Sequence, residues 1–97
     1  MSKQFFVYLL ANKPQGILYI GVTSDLARRI WEHKQAVVAG FTKRYGVKRL
    51  VYYEVHASPI EAITREKQMK KWNRTWKVQL IEKSNPDWDA LYEKVVL

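Results

Sequence analysis

The sequence predicts an α+β fold: a small three-stranded antiparallel sheet, made of a β-hairpin plus a third strand, flanked by helices in the order ββαβααα. Three observations carry this. Two apolar runs, "FFVYLLA" (Phe5–Ala11) and "ILYIGV" (Ile17 to Val22), are separated only by the turn-forming "NKPQG". A third run, "LVYYEV" (Leu50 to Val55), is rich in β-branched and aromatic residues. Around these runs, apolar residues recur at helical spacing behind capping residues.

Each element follows in order. Phe5–Ala11 is almost continuously apolar, the pattern of a strand buried on both faces. With its turn centred between Lys13 and Pro14, the hairpin puts Tyr8 directly opposite Tyr19 on one face, and a half-residue shift of that centre would separate them. Thr23 or Ser24 caps the next helix, with Asp25 in its first turn, where a carboxylate suits the helix dipole. Leu26, Ile30 and Val37 then form one apolar stripe, with His33 inside it, Arg29 beside it and Arg28 turned to solvent. "FTKRYGVKR" (Phe41 to Arg49) reads as a basic loop with interleaved aromatics. "SPIE" places Ser58 at an N-cap, Pro59 at the first helical position and Glu61 at the reciprocal capping position. On that helix Ala62, Ile63 and Met69 define the inward arc, with Glu66 in its middle. Arg74 to Lys83 reads as a further helix with Trp76 and Leu80 inward, and Asn85 with Pro86 caps a short terminal helix through Tyr92. No repeat, linker or low-complexity segment divides residues 1–97, so one domain is expected.

Composition narrows the function classes. The chain lacks cysteine, which excludes disulfides and thiolate zinc sites. The early apolar run stops at Asn12 without a small-residue cleavage site, and no apolar stretch approaches the roughly 20 residues of a membrane span. A soluble, cytoplasmic protein with no membrane partner is the expectation. The net charge of +8 is unevenly spread: residues 26–77 hold thirteen basic residues against four acidic ones, while the last twenty hold two against four. Basicity concentrated in the middle of a small aromatic-rich domain is the footprint of a polyanion binder.

Glu66 most needs an explanation, because a carboxylate on an apolar helix arc is costly unless it is paired or holds a cation. Lys70 at i+4, Arg29 across the core and a divalent metal are all open as its partner. Taken singly, His33 is an ordinary helix histidine, and Tyr8 and Tyr19 are ordinary strand aromatics.

Taken together, Tyr8 in "VYLL", Tyr19 in "LYIG", "TSDLARRIWEH" and the later helical Glu66 resemble the GIY-YIG nuclease domain family, over residues 5 to about 85. "YIG" is intact at Tyr19, Ile20 and Gly21, whereas the first motif keeps only its tyrosine, with Phe6, Val7 and Tyr8 standing where Gly, Ile and Tyr are usual. The resemblance implies the GIY-YIG fold and a metal-dependent endonuclease that hydrolyses DNA phosphodiesters in repair, recombination or nucleic-acid processing, akin to flap and junction nucleases. It implies Glu66 as ligand of a single Mg²⁺ or Mn²⁺, and Tyr8 and Tyr19 as the motif tyrosines, one of which orients or deprotonates the attacking water. It also implies Arg29 on the scissile phosphate and His33 in proton transfer or phosphate binding. Two features depart from the family: Val22 stands where a basic residue is often found, and the late asparagine has no clear counterpart. Asn73 lies on the Glu66 helix face and Asn85 has a cap role, so both stay outside the catalytic set. Thr23, Lys43, Arg44 and Tyr45 are candidate nucleic-acid contacts. DNA is the expected partner, with RNA and a separate targeting protein left open. The alternative is a non-catalytic basic nucleic-acid-binding module with a lapsed nuclease site.

Overall fold

The computed structural model describes residues 3–37 and 40–96. The central strand explains the rest of the architecture. β1 (Phe5–Ala11) pairs antiparallel with β2 (Leu18–Thr23) on one side and with β3 (Arg49–His56) on the other, giving the sheet order β2-β1-β3. Its continuous apolar sequence is used on both faces. Val7, Leu9 and Ala11 join a core with Ala62, Met69, Ile81 and Trp88, while Tyr8 and Leu10 join one with Leu26, Ile30, Val47 and Leu50. Helices therefore cover both faces: α3 (Pro59–Lys70) and α4 (Arg74–Ser84) on the first, α1 (Leu26–Lys34) and α5 (Tyr92–Val96) on the second. The expected ββαβααα order holds, with one addition. Phe41–Tyr45, expected as loop, is a one-turn helix, α2, framed by Gly40 and by Gly46, which ends it at φ 65.

The hairpin turn is centred one residue later than expected, so every cross-strand pairing moves by two residues. Tyr8 stands opposite Gly21 and Leu10 opposite Tyr19. The turn is centred between Pro14 and Gln15, because Gly16 N–H closes onto Lys13 O at 3.0 Å and Asn12 Oδ1 accepts from Ile17 N–H at 2.8 Å. Moving each pairing by two residues preserves side-chain parity, so the two tyrosines still share a face, as diagonal neighbours. Arg74 of α4 locks this turn from outside, donating to both Gln15 O and Gly16 O at 2.8 Å.

Four other expectations are corrected. The α1 cap is Asp25, whose side chain accepts from Arg28 N–H, while Thr23 Oγ1 accepts from Asp25 N–H just before it. α1 also stops before Val37. Ala36 adopts φ 55, its N–H returns to His33 O and that of Val37 to Glu32 O, a Schellman closure built without glycine that leaves Val37 exposed. On α3 and α4, Ile63 and Trp76 face solvent, because Ala62, Met69 and Ile81 take the core side. Finally, Asn85 begins no helix. Its buried side chain donates to Val51 O and Asp89 O and accepts from Asp89 N–H, making a turn that seats Trp88 before α5 starts at Tyr92.

Ser58 caps α3 by accepting from Glu61 N–H at 3.1 Å, and only this half of the capping box is made among the described residues. The β3 edge is fixed to α3 through Glu54. Its carboxylate takes bonds from the Tyr52 hydroxyl, from Arg65 Nε at 2.8 Å and from His56 Nε2 at 2.9 Å. Burial pushes the Glu54 pKa up, but those three bonds outweigh it and hold the carboxyl below its ordinary range. Among the described residues no helix is long and apolar enough to cross a membrane.

Candidate active site

Tyr8 projects from the middle of the sheet onto the α1 face and is 2% exposed. It fits there because its cross-strand partner is Gly21, the only residue type that leaves room for a ring at that place. The α1 stripe aims His33 back at it, so that Tyr8 Oη lies 3.2 Å from His33 Nε2. Tyr19, one cross-strand step away, completes an aromatic triangle: its ring centre is 6.4 Å from that of Tyr8 and 5.7 Å from that of His33. Tyr8, Tyr19 and His33 therefore form one packed cluster.

Arg29 lies one turn before His33 with its side chain partly exposed. Its Nε is 3.8 Å from Glu32, a loose contact that leaves the guanidinium available. Its charge reaches both ring systems. Burial, and after it the Tyr19 phenol, raise the Tyr8 pKa above the ordinary phenol value, and Arg29 opposes that rise. Burial, and after it Arg29, lower the His33 pKa, with Glu32 acting the other way. At neutral pH the pair is therefore an un-ionised phenol against an un-ionised imidazole.

Glu66 comes from α3, close enough that its charge contributes to the rise of Tyr8. Of its expected partners, Lys70 makes the contact, at 3.3 Å, while Arg29 turns to Glu32. The Glu66 side chain is 14% exposed and that of Lys70 55%. Such a half-solvated pair is worth about 0–1 kcal/mol, so a stronger ligand for the carboxylate can displace the lysine. No cluster of three or more His, Cys, Asp or Glu able to hold a metal exists among the described residues. A lone inward carboxylate suits a hydrated hard cation completed by water and phosphate, and does not suit zinc.

The other candidates divide. Thr23 lines a pocket with Asp25, Arg28, Arg29 and Glu32, although its hydroxyl is engaged with Asp25. Arg44 stacks over Tyr45 at 5.4 Å, and Tyr45 packs on Phe41 at 4.9 Å. Phe41 in turn stacks on Tyr19 at 6.5 Å. Arg44 and Tyr45 are thus joined to the site through Phe41, and Lys43 occupies the same short helix. Phe41, Tyr19, Lys70 and Lys77 line a cleft of about 260 Å³. Both candidate asparagines hold backbone: Asn73 Oδ1 caps α4 by accepting from Trp76 N–H at 2.9 Å, and Asn85 makes the turn before Trp88. Two residues escaped sequence reasoning. Phe41 and Thr42 belong to α2, whose signal was the pair of glycines around a five-residue segment. Thr42 is buried, with Oγ1 3.1 Å from His33 Nδ1.

Residues 4–79 match the family model of the GIY-YIG catalytic domain. A UPF0213 protein of Clostridium perfringens is 38% identical over 91 residues, covering 94% of this chain and 96% of that protein. A UPF0213 protein of Bacillus pumilus is 30% identical, covering 96% and 95%. The solution NMR structure of a UPF0213 protein from Bacillus halodurans superposes with a TM-score of 0.56 at 31% identity, over 90% of this chain and 92% of that one. The chain therefore belongs to the GIY-YIG nuclease domain family, alongside the UPF0213 proteins.

Proposed function

We propose that the protein is a metal-dependent endonuclease that hydrolyses DNA phosphodiester bonds, with Tyr8, Tyr19, Arg29, His33 and Glu66 as its catalytic set in a single GIY-YIG domain. The observation that carries this reading is the Tyr8–His33 contact of 3.2 Å, flanked by Arg29 and Glu66. A purely structural tyrosine has no need of a buried imidazole with a lowered pKa at its hydroxyl.

The chemistry follows from the protonation states. A standing phenolate is disfavoured at Tyr8, so Tyr8 works as a relay. As the water oxygen bonds to phosphorus, a water proton passes to Tyr8 Oη while the Tyr8 proton passes to His33 Nε2, so no phenolate accumulates. The imidazolium later releases that proton to solvent, and the bond from phosphorus to the leaving oxygen breaks with solvent protonating that oxygen. Arg29 contacts the non-bridging oxygens and opposes the charge that grows on them. Tyr19 orients the attacking water. Glu66 would hold Mg²⁺ or Mn²⁺, which when bound lends positive charge to the phosphoryl and leaving oxygens. Lys43, Arg44, Tyr45 and Thr23 contact phosphates and bases around the cleft. Phosphate contacts of this kind read DNA shape, which suits repair or recombination substrates and leaves sequence choice to base contacts or to a targeting partner.

The test is cleavage of labelled single-stranded, duplex, flap and four-way-junction DNA, and of RNA, with Mg²⁺, Mn²⁺ or chelator. Wild type, Glu66→Gln and Arg29→Ala are compared. Metal-dependent cutting by wild type that is lost in both variants is the expected result. Wild type that binds these nucleic acids and never cuts, with Glu66→Gln binding equally well, would replace this reading with the non-catalytic binding module.

A further inference from the structure

Behind the Tyr8 hydroxyl lies a line of three buried side chains, and the last belongs to none of the proposed catalytic residues. Tyr8 Oη is 3.2 Å from His33 Nε2, and His33 Nδ1 is 3.1 Å from Thr42 Oγ1. The three residues are 2%, 4% and 6% exposed. A neutral imidazole donates from one nitrogen and accepts at the other, so only two proton arrangements satisfy both contacts. In one, Nδ1–H donates to Thr42, Nε2 accepts from Tyr8, and the lone pairs of Tyr8 face the reacting water. In the other, the Thr42 hydroxyl donates to Nδ1, Nε2–H donates to Tyr8, and the phenol proton points into the cleft. Only the first leaves a base behind Tyr8.

The charges around the pair bear on which of them forms, Arg29 acting on Tyr8 in one sense and Glu66 and Glu32 in the other. Tyr8 and His33 are faced by Tyr19 from β2, by Arg29 and Glu32 from α1, and Tyr8 also by Glu66 from α3. Among the ionic groups, Arg29 acts most strongly on Tyr8. A guanidinium attracts the lone pairs of the phenol oxygen and turns its proton away, toward His33.

We propose that Thr42 is a positioning residue whose hydroxyl accepts the His33 Nδ1–H and thereby holds Nε2 free to receive the Tyr8 proton. The kinetic consequence rests on the nuclease reading above, whereas the tautomer is a property of the fold alone. The short helix α2 then serves to bring a single hydroxyl against the far side of the imidazole, with Phe41 and Tyr45 exposed on its outer surface. Valine at position 42 preserves the side chain's shape and removes the acceptor. Serine restores the acceptor and loses a methyl group.

The experiment has two readouts. Long-range ¹⁵N–¹H NMR of the histidine rings near pH 8 is expected to show His33 protonated at Nδ1 in wild type and in Thr42→Ser, and at Nε2 in Thr42→Val. Cleavage kinetics are expected to show kcat lowered roughly 10²-fold in Thr42→Val, the lower end of what a positioned proton-transfer group contributes, with KM little changed. The acid limb of the pH–rate profile moves in that variant, and Thr42→Ser recovers most of the rate. A wild-type His33 protonated at Nε2, or a Thr42→Val protein with unchanged tautomer and kcat, would overturn the proposal. If wild type cuts no nucleic acid at all, the nuclease reading falls, and the NMR result still decides the role of Thr42.

Discussion

Replacing Gly21 with alanine tests why the second motif ends in glycine. The reason is space and not backbone freedom, since Gly21 is absent from the positive-φ residues and faces Tyr8 across the strands. A Cβ at position 21 would come within 2.9 Å of Oη, Cζ and Cε1 of Tyr8, where ordinary carbon contacts begin near 3.5 Å. The ring cannot retreat, being 2% exposed and held by His33. Overpacking of this kind costs about 1–3 kcal/mol, while the lower chain entropy of an unfolded alanine returns roughly 0.5 kcal/mol. Gly21→Ala should therefore destabilise the protein by about 1–2 kcal/mol. In a Tyr8→Leu background, which lacks Oη and Cζ, only the entropic part remains, and the same substitution should stabilise by roughly 0.5 kcal/mol. Urea unfolding of wild type, both single variants and the double variant measures the coupling directly. An equal cost of Gly21→Ala in the two backgrounds would refute the steric argument.

Further predictions concern pH, a buried amide and the exposed rings. His33 has a folded pKa below its unfolded value near 6.5, so below that pH the unfolded chain takes up a proton that the native state refuses. Stability should fall as pH drops from about 6.5 toward the native His33 pKa and then level off, with the fall missing in His33→Gln when Tm is followed against pH. Glu54, also depressed, contributes stability above its ordinary value near 4.5 that is lost as pH falls through its folded pKa, a second drop that Glu54→Gln should remove. Asn85→Ala removes three hydrogen bonds and should cost about 2–3 kcal/mol in urea unfolding, with Trp88 fluorescence shifting as its turn loosens. Phe41→Ala and Tyr45→Ala, at half-exposed positions, should leave Tm nearly unchanged. Each should weaken binding of a labelled single-stranded oligonucleotide about tenfold by anisotropy, as the loss of one base-stacking surface would.

Some of this was legible in the chain and some was not, for physical reasons. The apolar runs around Tyr8 and Tyr19 forced a hairpin, and side-chain parity kept the two tyrosines on one face even though the turn centre was displaced by a residue. The Ser58–Pro59 start gave α3, and the apolar stripe of α1 brought His33 inward. The end of α1 was hidden because its left-handed closing residue is Ala36 where glycine is the usual signal. α2 was hidden because five residues are too few to show a period, and with it the contact between Thr42 and His33. Asn85 was misread for a related reason. A helix cap and a buried turn clasp use the same amide, and only the tertiary partner, Val51 O, distinguishes them.

The clasp at Asn85 also bears on how the protein comes into being. The side chains proposed for catalysis all lie between residues 8 and 66, yet the strand that walls them on one side, β3, is satisfied from further along. Arg49 donates to Trp88 O, Leu50 O accepts from Leu91 N–H, and Val51 O accepts from Asn85. During synthesis these groups stay unanswered until residues 85–91 leave the ribosome. Every proposed catalytic side chain is then already outside, on a sheet whose outer edge is still open to water. The sheet closes only once residues 85–91 are free to fold back, so a nascent chain stalled before Asn85 would carry all of its reactive groups and no settled site.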